Sequence, residues 1–261
     1  LGRATPFNKF YIKLIGALSL GITGHEFSYF SDRNGEDALL MKSFLHLSKL
    51  DEPIIFFDGG CNRGTYTNNI LKIAQSLNLY NVSVHLFDID PSMIKSCAEK
   101  FLGDSRVYIN NVGLSDKKQN SMARFYPRDT TRNSLIGTSQ EPGWDSYVAN
   151  VDLVTGDEYC QINDILYIHF LKLDLEGYDF EALKGFESML RTKSIRYIQF
   201  EYTFRALERR ILIKDFFEIF FSYGYKFASI KYDSIDIYDD YNPRMENWLL
   251  GPNFFAFASE I

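Results

Sequence analysis

The sequence predicts an α/β fold built on a mostly parallel sheet with helices on both faces. Three observations carry that expectation. From residue 54 onward, short apolar runs alternate with amphipathic segments, the pattern of strands separated by crossover helices. The first apolar run breaks into a glycine loop, "DGGCNRG" (58–64), directly before a helix-like stretch. The next two runs end in Asp88 and in Asn110–Asn111, at the strand ends where such sheets bind ligands.

Each element follows from its local pattern. "PIIFFD" (53–58) reads as a buried strand and "TYTNNILKIAQSLN" (65–78) as the helix after it. "VSVHLFD" (82–88) is a second strand. "PSMIKSCAEKFL" (91–102) is a helix with Pro91 at its first turn, where the missing N–H costs nothing. "RVYIN" (106–110) is a third strand and "ILYIHFLKLD" (165–174) a fourth, followed by a helix at 178–190. "IRYIQFEY" (195–202) is a fifth strand, and a helix at 211–224 stops at Gly224. Strands at 225–232 and 253–259 close the series. Between residues 112 and 164 the alternation fails, and the polar, Gly- and Pro-containing stretch reads as an insertion with a hairpin over the sheet edge. The expected organisation is an N-terminal helical segment over 1–50 and one catalytic domain over 51–261.

Composition narrows the function classes. The 261 residues carry a net charge of -6 with no basic run, a poor match to a phosphate backbone, so no nucleic-acid partner is expected. Cys61, Cys97 and Cys160 are isolated, with no CxxC or Cys/His cluster, which fits a reducing, cytoplasmic location. "FYIKLIGALSLGITG" (10–24) contains Lys13 and falls short of the roughly 20 apolar residues of a span, so no transmembrane span is expected. The first residue is Leu1, which suggests a trimmed chain or part of a larger polypeptide; a homo-oligomer is also open.

The glycine loop has the context of a nucleotide-binding turn. Glycine admits positive φ and close backbone approach, and the following helix directs N–H groups at the ligand. The spacing DGGxxxG, without GxGxxG or GK[ST], makes a dinucleotide or triphosphate site the weaker reading. A structural tight turn remains an alternative. Asp88 is placed to accept from ribose hydroxyls, although a helix cap is its competing role and Asp90 is the better cap.

These segments, taken together, resemble the FkbM family of class I methyltransferases that use S-adenosylmethionine. The resemblance rests on "DGGCNRG" (58–64), "FDIDP" (87–91), "NVGLSD" (111–116), "LKLDLEGYDFEALKG" (171–185) and "QFEY" (199–202), which occur in the family's order, with "NSL" (133–135) at its Ser-rich segment. It spans roughly 35 to 258. Cys61 and Gly113 stand where the family has Ala, Asp88 where it has Glu and Ile89 where it has Pro. The resemblance implies a Rossmann-like class I methyltransferase fold with a mostly parallel seven-stranded sheet. It implies S-adenosyl-L-methionine bound by Asp58, Gly59, Gly60, Cys61, Asn62, Gly64, Thr65 and Tyr66, by Asp88 and Ile89, by Asn111 and Val112, and by Asp174.

Methyl transfer needs an acceptor held in line and a group to take its proton. Asp174 and Glu201 end the fourth and fifth strands and are the catalytic candidates. Asp174, Glu176 and Glu201 also make a possible divalent-metal set, since hard oxygen ligands suit magnesium. His169 reads as a core histidine; Tyr126, Trp144 and Tyr147 are candidates for stacking on a sugar. The expected activity is O-methylation of a hydroxyl on a sugar or glycan-like acceptor. The alternatives are a natural-product hydroxyl, a non-catalytic glycan- or protein-binding module on the same fold, and a nicotinamide-dependent oxidoreductase, which the loop spacing disfavours.

Overall fold

The structure, a computed structural model, describes residues 35–135, 144–231, 234–246 and 253–258. The apolar segment 10–24 and the rest of 1–34 lie outside the described residues.

The elements in chain order begin with α1 (Gly35–Leu47), β1 (Ile54–Gly59), α2 (Thr65–Ser76), β2 (Val82–Phe87), α3 (Pro91–Lys100) and β3 (Val107–Asn110). β4 (Gly113–Leu114), β5 (Gln119–Phe125), β6 (Ser134–Leu135) and β7 (Tyr147–Val154) form the insertion, closed by α4 (Gly156–Ile162). Then come β8 (Ile168–Leu173), α5 (Asp179–Lys184), α6 (Glu187–Arg191), β9 (Ile195–Glu201), α7 (Phe204–Glu208), α8 (Ile213–Ser222), β10 (Tyr225–Ile230), β11 (Ile235–Tyr238) and β12 (Asn253–Ala258).

The main sheet runs β11-β10-β12-β9-β8-β1-β2-β3. β1, β2, β3, β8 and β9 are parallel; β12 lies antiparallel between β9 and β10. It thus has one more strand than the sequence pattern shows, because β11 adds antiparallel to β10 at the edge. The insertion forms its own small sheet, β4-β7-β5-β6, around the expected hairpin of β5 and β7. The helix expected over 178–190 is split at Gly185, where a side chain would begin 2.0 Å from the Ser115 carbonyl oxygen.

Both faces of the sheet are covered. Every residue of β8 is buried, as a central strand between two helical layers requires. One face packs Phe44 of α1 on Phe56 of β1 at 4.7 Å, and the other stacks Phe200 of β9 on Phe216 of α8 at 4.3 Å. Among the described residues no helix is long and apolar enough to cross a membrane.

The register places the chemistry. Asp58 of β1 sits beside Lys172 of β8, and Lys172 beside Gln199 of β9, so three buried polar side chains form one row under α1 and α2. One step further, past the Leu173–Phe200 pair, Asp174 and Glu201 leave adjacent strand ends on that same face.

Candidate functional site

The glycine loop carries its turn in the backbone. Gly60 has φ 77, Asn62 φ 47 and Gly64 φ 64. A side chain at Gly60 would begin 1.9 Å from the Asp174 carbonyl oxygen, and one at Gly64 would meet the Phe101 ring at 2.7 Å. No side chain caps the first turn of α2, which leaves that helix end open to the crevice. α3 differs: Asp90 caps it by accepting from the Ser92 N–H at 2.8 Å, with Pro91 behind it.

The crevice at these strand ends has two lobes that share Gly60, Asn62, Thr130, Thr131 and Asp174. The apolar lobe is lined by Phe87, Asp88, Ile89, Val112, Leu135 and Leu153, among others. The polar lobe holds Asp58, Cys61, Arg63, Thr65, Tyr66 and Lys172.

Asp88 Oδ2 accepts from the Asn62 N–H and Oδ1 from the Asp90 N–H, both at 2.8 Å. This ties the glycine loop to the end of β2 and leaves further lone pairs at the crevice. Burial pushes Asp88 up to about 6 against those two hydrogen bonds. Asp58 is fully buried; its Oδ2 accepts from Thr67 Oγ1 at 2.6 Å, and its Oδ1 has no partner among the described residues. Burial raises the Asp58 pKa, with the nearby Lys172 charge opposing. The Lys172 ammonium donates to Asp174 at 2.8 Å and lies 5.0 Å from the centre of the Tyr66 ring. Burial opposes the Lys172 charge, but Asp174, Asp58 and Glu36 together hold its pKa above the ordinary value. The Tyr66 hydroxyl donates to Gln199 Oε1 at 3.1 Å.

Two expected contributors stand away from the crevice. Gly59 is the last residue of β1, and its carbonyl accepts from the Asp174 N–H at 3.0 Å. Asn111 is exposed and donates its amide to the Asp88 carbonyl at 2.9 Å, so it braces the turn after β2 instead of lining the pocket. Its neighbour Val112 does line it.

Glu201 lines neither lobe; it lies just past them, at the end of β9. Its N–H donates to Asp179 Oδ1 at 3.3 Å, and Asp179 Oδ2 accepts from the Leu175 N–H at 3.2 Å. Asp179 thus joins the ends of β8 and β9, and burial pushes it up to about 7. Burial, then the charges of Asp174, Glu176 and Asp179, raise Glu201 well above the carboxylate range. Glu176, at φ 51, pairs with Arg205 at 3.1 Å, while Asp174 pairs with Lys172. Among the described residues no three His, Cys, Asp or Glu side chains are gathered as a metal-holding group, and two of the three proposed magnesium ligands take basic partners instead.

His169 is a core histidine, its Nδ1 accepting from the Ile55 N–H at 3.1 Å. Tyr126 is buried in the insertion, and one face of Trp144 lies under the Arg132 guanidinium at 4.4 Å. Sequence reading missed the insertion's reach: Thr130 Oγ1 donates to Asn62 Oδ1 at 3.2 Å, and Asn133 Nδ2 to Asp90 Oδ2 at 2.7 Å. The "NSL" segment was the available signal. Lys172 and Asp179 stood inside the quoted 171–185 block without a role.

A parallel sheet closed by an antiparallel strand, with a glycine loop after β1 and a carboxylate just after β2, frames a ligand site at the strand ends, and the family match gives its class: an S-adenosylmethionine-dependent methyltransferase. The chain belongs to the FkbM methyltransferase family, whose domain it matches over residues 58–227. No curated protein sequence matches it. Solved structures that resemble it are distant. A TehB-like SAM-dependent methyltransferase from Corynebacterium glutamicum ATCC 13032 Kitasato shares 14% identity over 98% of this chain and 100% of its own, with TM-score 0.40. A SAM-dependent methyltransferase from Aquifex aeolicus shares 13% over 84% and 88%, with TM-score 0.41. The O-methyltransferase NovP shares 8% over 86% and 78%, with TM-score 0.44.

Proposed function

We propose that this enzyme methylates a hydroxyl of a sugar or glycan-like acceptor, with Asp174 and Glu201 on the acceptor side. The observation that carries the reading is the pair of carboxylates leaving adjacent strand ends beside the polar lobe. S-adenosylmethionine supplies a methyl group on a sulfonium: the oxygen–methyl bond forms as the sulfur–methyl bond breaks, and sulfur keeps the electron pair. Asp58, with a buried unpartnered oxygen, suits the ammonium of its methionine end. Asp88 suits the ribose, and Ile89, Val112 and Leu135 the adenine. Asp174 orients the acceptor hydroxyl, and Glu201 takes its proton. Carboxylates accept from neighbouring hydroxyls, so several acids at one mouth suit a polyhydroxylated acceptor.

The test is methyl transfer from labelled donor to a panel of activated sugars, polysaccharide fragments and phenolic hydroxyls. Label in a sugar ether supports the reading; transfer confined to phenols or amines overturns the sugar assignment. Asp88→Ala is expected to weaken cofactor binding by roughly 1.5–3 kcal/mol by calorimetry, the scale of hydrogen bonds to a charged group. An unchanged dissociation constant removes the ribose from Asp88. All three cysteines are free thiols, which supports a reducing, cytoplasmic setting.

A further inference from the structure

The charges that line the polar lobe are sorted by depth. At its inner end the buried Lys172 pairs with Asp174 at 2.8 Å and lies in the field of Asp58 and Glu36. At its outer end stand two exposed bases, Arg63 and Arg128. Asp129, the remaining acid of the lining, already accepts from Arg132 Nε at 2.8 Å and from Thr131 Oγ1 at 2.5 Å. Arg128 meets Asp145 at 3.2 Å, with the two side chains 77% and 79% exposed. Such a pair contributes little in water and yields readily to a better partner. The Arg63 guanidinium has no hydrogen bond or ion pair among the described residues; its carbonyl alone is engaged, by Lys100 Nζ at 3.0 Å.

Both arginines stand on fixed backbone. Lys100 Nζ also donates to the Gly64 carbonyl at 3.0 Å, which pins the loop that carries Arg63 and adds a third cation beside it. The turn that carries Arg128 is held by the Tyr126 N–H on Asn133 Oδ1 at 2.8 Å, the Asp129 N–H on the Tyr126 carbonyl at 3.0 Å, and Asn133 Nδ2 on Asp90 Oδ2. Thr130 then joins the two loops through Asn62, the neighbour of Arg63. The lobe therefore has a fixed outer rim with two guanidinium groups at hand, and their planar forks match carboxylate or phosphate oxygens. The methyl donor leaves this rim free. Its ammonium suits Asp58, and its carboxylate suits the first N–H groups of α2, which no side chain caps and where Thr65 and Tyr66 line the lobe.

We propose that Arg63 and Arg128 select an acceptor that carries an anionic group, a carboxylate or a phosphate, in addition to the hydroxyl that is methylated. The acids at the strand ends hold hydroxyls, and the arginines at the rim hold the charge. The incoming anion displaces Asp145 from Arg128 and gives Arg63 its partner. A chain of net charge -6 repels an acidic molecule on average, so the two arginines supply a local attraction that the protein as a whole lacks. That the acceptor is a sugar rests on the proposed function; the preference for an anion does not.

The experiment compares matched acceptors on the full chain: glucose with glucuronic acid and glucose-6-phosphate, and phenol with para-hydroxybenzoic acid. Binding to the protein loaded with S-adenosylhomocysteine is read by calorimetry, and methyl transfer is read with labelled donor. Acidic members are expected to bind and react at least about tenfold better than neutral ones, the scale of one hydrogen bond to a charged group. Arg63→Gln and Arg128→Gln should each remove most of that preference through KM, with turnover of neutral acceptors and affinity for S-adenosylmethionine unchanged. Asp145→Asn, which frees Arg128, should tighten acidic acceptors a few-fold. Arg106→Gln removes the same charge just before β3, at the opposite ends of the strands, and should leave the preference intact. Equal binding of neutral and acidic members, or no binding of any acidic member, overturns the inference. A loss of S-adenosylmethionine affinity in Arg63→Gln assigns that residue to the donor's carboxylate and overturns its role here. An anion preference seen in the phenols alone supports the inference and overturns the sugar assignment; equal transfer to neutral and acidic sugars does the reverse.

Discussion

Gly60→Ala is expected to abolish measurable cofactor binding and to lower the melting temperature. Gly60 sits at φ 77, a left-handed conformation that costs an L-residue roughly 1–2 kcal/mol. The larger effect is steric. The new Cβ would lie 1.9 Å from the Asp174 carbonyl oxygen, which is backbone and cannot rotate aside. Either the glycine loop lifts from the end of β8 or the end of β8 retreats. Both lobes of the crevice include Gly60 and Asp174, so either movement deforms the pocket throughout. Gly103→Ala is the control: its φ is 82, but nothing stands within 4 Å of the added carbon. That variant should lose about 1 kcal/mol of stability and none of the affinity. A folded Gly60→Ala with wild-type affinity for S-adenosylmethionine would show that the cofactor lies elsewhere.

Glu201→Gln is expected to reduce turnover by roughly 10²–10⁴-fold, the contribution of a positioned general base, and Asp174→Asn to reduce it through loss of the group that orients the acceptor hydroxyl. Both changes keep the shape of the side chain and remove its basicity. Cofactor affinity should stay within a few-fold of wild type for Glu201→Gln, because Glu201 lines neither lobe. Asp174 does line both, so Asp174→Asn should show a modest binding loss as well. Asn at 174 also leaves the Lys172 ammonium without its 2.8 Å carboxylate partner, which adds a stability cost that thermal unfolding will read. The two variants thus separate in their binding constants while agreeing in turnover. If both transfer methyl groups at the wild-type rate to a genuine acceptor, the catalytic group lies in the insertion, where Thr130 and Thr131 reach the crevice.

The legible part of this protein was the part written in local chemistry. Strands and helices alternate because apolar runs and amphipathic stretches alternate, and each pattern is complete within about ten residues. The glycine loop was readable because close backbone approach and positive φ call for glycine at the position itself. Asp88, Asp174 and Glu201 were readable as strand ends because polarity changes abruptly there. Tertiary structure alone decided what these groups face. Glu36 accepts from the amide of Asn253, 217 positions away, and no periodicity links the two. Thr130 and Asn133 close the crevice because the insertion folds back as a sheet of its own, with β6 paired to β5. Asn111 turns outward and Gly185 splits a helix because of contacts with the Asp88 and Ser115 carbonyls, neither of which its own segment specifies. The buried row of Asp58, Lys172 and Gln199 exists only once parallel register sets β1, β8 and β9 side by side and burial removes the water that would screen the charges. Charge type is a property of single residues, but the cost of holding like charges together depends on distance and dielectric, which the folded chain determines.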